Sequence, residues 1–160
     1  MAKIQNPFSS ALTRADFIPD AVASVVCPAG RFTELGRFII VAGVAIALGH
    51  GELAGQDAAH GRIFADIRDA GTTPGLVING LLRFDIHTPQ DFVERTLWQE
   101  RTENLRTSAT DRQQQIPMPI IPDVVGEDWF LVMKFRPDAT ATVGRANTLL
   151  VVSATQFEVR

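Results

Sequence analysis

Two apolar runs of strand length, residues 129–135 and 148–159, close this sequence and carry it almost to its last residue. In the first, Trp129, Leu131, Met133 and Phe135 fall on one side of a period-two pattern, with Lys134 and Arg136 on the other. In the second, Leu149, Val151, Phe157 and Val159 share a side. A period of two is the repeat of a pleated strand with one buried face, so the last third must be built as sheet. Pro137-Asp138 starts the link between the runs, and Gly144-Arg145-Ala146-Asn147 predicts a second turn within it.

Upstream the same signal recurs between glycine and proline punctuation. Residues 22–27 read as a short strand ended by the turn Pro28-Ala29-Gly30. In the apolar run 38–49, Phe38, Ile40, Ala42, Val44, Ile46 and Leu48 alternate with the smaller Ile39, Val41, Gly43, Ala45 and Ala47. This predicts one central strand covered on both faces. The run is far short of the roughly twenty residues of a membrane-spanning helix. Residues 62–68 place Ile63, Ala65 and Ile67 against Arg62, Asp66 and Arg68, a half-exposed strand. After the turn-rich 69–75, residues 76–87 set Leu82, Phe84 and Ile86 against Arg83, Asp85 and His87, with Asn79-Gly80 as a hairpin turn or bulge.

Three segments depart from that rhythm. Residues 1–20, with Pro7, Pro19 and isolated Phe8, Phe17 and Ile18, read as an N-terminal arm that lies along another surface, either its own barrel or a neighbouring subunit. Thr88-Pro89-Gln90-Asp91 combines an N-cap hydroxyl, a proline at the first helical position and an acid in the first turn, and predicts a short helix near 89–100. A strand from Arg95 to Arg106, with Thr96, Trp98 and Thr102 on one face, is the rival reading. Residues 107–128 have no period and contain Ile116-Pro117-Met118-Pro119-Ile120-Ile121-Pro122, which favours an extended ribbon with a greasy side. Such a ribbon is rarely left bare in water, so it is expected to pack on its own sheet or on another chain. The expected organisation is thus an arm at 1–20 and a single β domain at 21–160 with the long extended segment inside it.

Composition narrows the function. At 160 residues, 46% hydrophobic and 21% charged, the chain has the make-up of one folded domain. A net charge of -3 gives no general attraction to nucleic acid. Of the 15 Lys and Arg, only Lys3 and Lys134 are lysine. Arginine is enriched and lysine depleted at protein interfaces, although a GC-rich genome gives the same bias. Cys27 stands alone, so no intrachain disulfide forms. The first residues lack an apolar stretch of the signal-peptide kind, and the chain is expected to stay where it is made until released.

Chemistry-bearing residues are sparse. His50, Glu52, Asp57, His60, Asp66 and His87 are the candidates for a metal or acid-base cluster. His50, Glu52 and His60 faintly resemble the metal strand of cupins but lack the paired His-x-His, and surface hydration is the simpler account. No serine has a Gly-x-Ser-x-Gly context, and no glycine-rich phosphate loop precedes a helix signal. Arg95, Arg101, Arg106 and Arg112 with Trp98 contain the ingredients of a single-strand nucleic-acid groove, but Glu94, Glu100, Glu103 and Asp111 cancel most of that charge. Trp98 or Trp129 could stack on a sugar ring in a binding sandwich, while the alternation places Trp129 in the core.

Taken together, the arm, the core strands 38–48 and 81–87, the ribbon 113–123 and the closing strands resemble the single jelly-roll coat proteins and small β-barrel decoration proteins of icosahedral viruses. The resemblance is architectural and contains no family motif. It implies an all-β, mainly antiparallel, jelly-roll-like barrel or sandwich and a structural, non-enzymatic protein of the virion, assembled in the host cytoplasm. Its implied partners are copies of itself and other capsid proteins, with no cofactor, no small-molecule substrate and no specific nucleic-acid binding. The implied subunit contacts are Phe8, Phe17, Ile18, Ile116, Met118, Ile120 and Ile121. An arm with only Lys3 and Arg14 for positive charge points to an outer or membrane-facing shell. The competing expectation is a cupin-like metal- or ligand-binding barrel, an enzyme in the limiting case, with His50, Glu52 and His60 at its mouth.

Overall fold

The computed structural model describes residues 4–13, 17, 24–48, 63–106 and 127–159. Its strands are β1 (Ile4–Thr13), β2 (Ser24–Cys27), β3 (Thr33–Ile40), β4 (Val44–Leu48), β5 (Ile63–Asp69), β6 (Gly80–His87), β7 (Val93–Arg101), β8 (Trp129–Pro137) and β9 (Ala141–Val159). All named pairings are antiparallel, and the strands divide into a five-stranded and a four-stranded sheet. The all-β, jelly-roll-like sandwich expected from the sequence is the fold observed.

The five-stranded sheet is organised on β9. Its residues 141–144 pair with β2, 143–152 with β5, 151–159 with β1 and 154–158 with β4. A strand has two edges, so the overlaps at 143 and at 151–158 put β2 and β1 along one edge, and β5 and β4 along the other. The turn predicted at residues 144–147 does not divide this strand. β9 runs on, and the extra residues are absorbed where the β5 register slips between Ile67 and Asp69. There Thr148 Oγ1 donates to the Gly144 carbonyl at 2.9 Å and Asn147 Nδ2 to the Asp69 carbonyl at 3.1 Å, so the irregularity holds its own backbone groups. Residues 4–13 of the expected arm lie along β9 of this chain's own sheet.

The second sheet has the order β3-β8-β6-β7. Leu35, Ile40, Leu82, Phe84, Ile86, Trp129, Leu131, Met133 and Phe135 project from it into the core, against Cys27, Ala65, Ile67, Val143 and Leu150 of the other sheet. The alternation read in β8 is the one observed. Gly80 opens β6 where a Cβ would stand 2.3 Å from the Arg136 carbonyl oxygen, so only glycine permits this approach of β6 to β8. A 3-10 turn, Thr102–Asn104, joins the layers: Thr102 Oγ1 bonds the Gly80 N–H and the Ile78 carbonyl, and the Leu105 carbonyl accepts from Ala65 N–H.

Two expectations are corrected. The apolar run 38–49 is not one central strand. It breaks at 41–43, where Gly43 adopts φ +81° and Ala42 N–H donates to Asp128 Oδ1 at 2.9 Å, so β3 and β4 belong to different sheets. As a result Ile39 and Val41 are 50% and 55% exposed. The helix near 89–100 is also absent, and β7 stands there. Thr88 Oγ1 does accept an N–H, that of Phe92, as a cap would. Asp91, however, takes φ +67°, and Thr88 N–H pairs with the Phe92 carbonyl, so the segment closes a hairpin between β6 and β7. The rival strand reading is the nearer one, but a register shift between Phe84 and Asp85 puts Thr96 and Trp98 on opposite faces.

Candidate assembly surface

The outer face of the four-stranded sheet carries the most developed arrangement of polar and exposed apolar groups among the described residues. Register places Glu34, Arg37 and Ile39 of β3, Phe130, Val132, Lys134 and Arg136 of β8, and Leu81, Arg83, Asp85 and His87 of β6 on that side. Asp85 is wholly buried although it faces outward. Its carboxylate accepts from Lys134 Nζ at 2.8 Å and from Thr96 Oγ1 at 2.7 Å, and Arg83 lies at 3.1 Å. Burial pushes the Asp85 carboxyl up, but the bonds from Lys134 and Thr96 and the two positive charges outweigh it and hold it below the usual carboxylate range. Arg83 in turn lies 3.8 Å over the Phe32 ring and Arg136 at 5.1 Å from it. The face is thus a fixed lattice of charge laid over the apolar core.

At one end of this face the lattice gives way to hydrocarbon. One row across the sheet runs Ile39, Phe130, His87, Val93. Ile39 and Val93 are half exposed, and Val41 and Phe92, 70% exposed, lie at the same end. Arg37 sits 5.0 Å over Phe130 and bonds Asp91 Oδ1 at 2.9 Å, while His87 Nδ1 lies 2.8 Å from the same oxygen. The hydrogen bonds from His87 and Arg37 hold the Asp91 carboxyl below its ordinary range. Nε2 of His87 is buried without a hydrogen-bond partner among the described residues. An apolar row interrupted by arginine and framed by fixed charge has the make-up of a protein contact surface.

The sequence candidates for chemistry are not brought together. Asp66 lies on β5 and His87 on β6, in different sheets, and Asp66 pairs with Arg68 at 3.1 Å and Arg106 at 3.6 Å. No group of three metal-ligand side chains occurs among the described residues. His50, Glu52, Asp57 and His60 lie outside them. The basic stripe is spoken for: Arg95 meets Glu94 at 3.6 Å, and Arg101 bonds Asp138 and Glu103. Arg112 lies outside the described residues. Trp98 is stacked on Phe84 at 5.7 Å and Trp129 is in the core. A groove of about 390 Å³ beside Asp69, Leu76, Asp138 and Thr140 is satisfied internally, since the Asp69 carboxylate accepts from the Thr142 and Thr73 N–H groups.

Among the residues expected to meet a neighbour, Phe17 is wholly buried between Phe38 and Phe84, at 6.4 and 5.5 Å, so it belongs to this chain's core. The backbone of Phe8 pairs with Gln156 of β9. Ile18, Ile116, Met118, Ile120 and Ile121 lie outside the described residues. Sequence reasoning missed Ile39, Val41 and Val93 as exposed, because it buried the first two in a central strand and put the third in a helix.

No family model and no curated protein matches the chain. Among solved structures it is similar to VP17, a capsid protein of bacteriophage P23-77, with a TM-score of 0.54 and 9% identity, covering 100% of this chain and 99% of that one. The chain has the fold of a phage capsid protein. It is similar too to a chain of the VP16-VP17 complex, the complex of the two major capsid proteins of bacteriophage P23-77, with a TM-score of 0.52 and 9% identity over 95% of this chain and 99% of that one. The likeness spans the whole domain rather than one sheet.

Proposed function

We propose that this chain is a structural, non-enzymatic subunit of a virion, which assembles with copies of itself and with other capsid proteins into an icosahedral shell or decorates one, in the host cytoplasm. The observation that carries the reading is the end-to-end match, in both directions, with a phage capsid protein. The exposed apolar side chains Ile39, Phe92 and Val93 at one end of that sheet support it, since a coat subunit works by burying such surface against neighbours. In this reading the ribbon 107–128, with Ile116, Met118, Ile120 and Ile121, and Phe8 and Ile18 of the N-terminal segment make further contacts. Because residues 4–13 pair with β9 and Phe17 fills the core, deleting residues 1–20 would test folding rather than assembly.

Point substitution is the cleaner test. Electron microscopy of the chain produced with its companion shell proteins is expected to reveal closed particles. Ile120→Asp is expected to reduce particle yield at least about tenfold while the thermal midpoint of the free chain moves little. Equal loss of both would make the ribbon part of the core, and absence of the chain from purified particles would overturn the reading.

A further inference from the structure

β7 is an edge strand, and its sequence is self-complementary in charge. β6 occupies one side of it, and nothing among the described residues pairs with the other. Residues 94–101 read Glu-Arg-Thr-Leu-Trp-Gln-Glu-Arg. Laid antiparallel against a second copy, with the two-fold axis between Leu97 and Trp98, Glu94 meets Arg101 of the copy and Arg95 meets Glu100. Thr96 then meets Gln99, and Leu97 meets Trp98. Every charge faces its opposite, and the apolar pair lies at the centre.

In a regular strand this register would fail. Opposed residues would differ by an odd number of positions and so point to opposite faces of the joint sheet. The bulge in β7 removes the conflict. Trp98 stands opposite the inward Phe84 and Thr96 opposite the outward Asp85, so Leu97 is the extra residue and the alternation flips across it. Thr96 and Gln99, opposite Asp85 and Arg83, both point outward, whereas Arg95 and Glu100, opposite Ile86 and Leu82, both point inward. Leu97 and Trp98 both pack against the apolar core. From Arg95 to Glu100 the register matched in charge is therefore matched in face, and Glu94, the extra residue of a second register shift between Ile86 and His87, closes each end of the contact.

We infer that two copies of this chain join through β7, edge to edge about a two-fold axis, into one continuous eight-stranded sheet. Charges of mixed sign commonly protect an edge from pairing. Here, however, their order inverts in sign when read backwards, so the strand complements its own reverse in one register, and isologous contacts require that property. The within-chain pair of Glu94 and Arg95, 3.6 Å apart and exposed, can take on a second partner without losing the first. The ends of the contact would be charged and its centre apolar, the usual division of a specific interface. This contact is a property of the free chain and stands apart from the capsid reading.

Sedimentation of the full chain tests it. The wild type is expected to form a dimer whose mass does not grow further with concentration. Exchanging the two exposed charges, E94R/R95E, keeps the composition and net charge but makes all four cross-copy pairs like-charged. It is expected to raise the dissociation constant about tenfold or more with an unchanged thermal midpoint. The counterpart E100R/R101E is expected to be impaired in the same way, and mixing the two variants restores four opposite-charge pairs and a mixed dimer. E94R/R95E decides the matter alone if E100R/R101E, which gives up the Asp138 contact, loses its fold. A wild type that stays monomeric at its solubility limit overturns the inference. So do a ladder of higher masses, which would signify β7 joining β3, and a dimer indifferent to the charge exchange.

Discussion

β6 and β7 are the two arms of one hairpin, hydrogen-bonded along their length, yet they have opposite environments. In β6 Leu82, Phe84 and Ile86 are buried on the inner face and Asp85 and His87 on the outer. In β7 the first four residues, Val93 to Thr96, are exposed and none of the nine is buried. The local sequences explain part of this, since β6 alternates apolar and polar residues while β7 has only Val93, Leu97 and Trp98 as apolar residues. Position adds to it: β6 has a neighbour on each side, β8 and β7, while β7 has β6 alone among the described residues. A strand's burial is set by what flanks it, and β7 is left with surface that assembly can use.

The comparison can be broken at several strengths. Phe84→Ala should have the largest effect, about 3–5 kcal/mol of unfolding free energy by denaturant titration, because it empties a site packed by Phe17 and Trp98. A much smaller loss would mean that the hairpin is not seated on the core. Asp85→Asn comes next, at about 2–3 kcal/mol near neutral pH, because it leaves Lys134 and Arg83 facing an amide. Its sign with pH follows from the depressed carboxyl. An acid with a folded-state value below its unfolded value stabilises the fold above about pH 4, and that contribution is lost as pH falls toward the folded value. The wild type should therefore lose its advantage over Asp85→Asn on acidification, and parallel acid limbs would refute the assignment. Smallest is Val93→Ser, on the exposed strand directly opposite buried His87, which should stay within about 0.5 kcal/mol. A cost near that of Phe84→Ala would show β7 to be covered in the free chain.

Much of the sheet was legible residue by residue. The alternation of Trp129, Leu131, Met133 and Phe135 and that of Leu82, Phe84 and Ile86 was read correctly, as was the turn at Gly30, where φ is +76°. The hairpin at 88–92 was misread because its first hydrogen bond, Phe92 N–H to Thr88 Oγ1, is the one a helix cap also makes. Whether such a cap leads to a helix or a turn depends on Asp91, held by the adjoining His87 and by Arg37 from β3, distant in sequence. The apolar run at 38–49 was misread because both its strands are apolar, and no periodicity marks the corner that Gly43 and Asp128 make between two sheets.

The sequence by itself determined that the chain is β throughout its core, because the pleat imposes a period of two on any strand with one wet face, and that pattern is written locally. It also determined that Arg would dominate the basic charge and that the charges of β7, read from its two ends, would be opposite in sign. Only the tertiary structure decided which strands are central and which are edges, that Phe17 is core, and that a bulge at Leu97 lets opposed charges of β7 share a face. Those properties depend on partners distant in sequence, and no local pattern carries them.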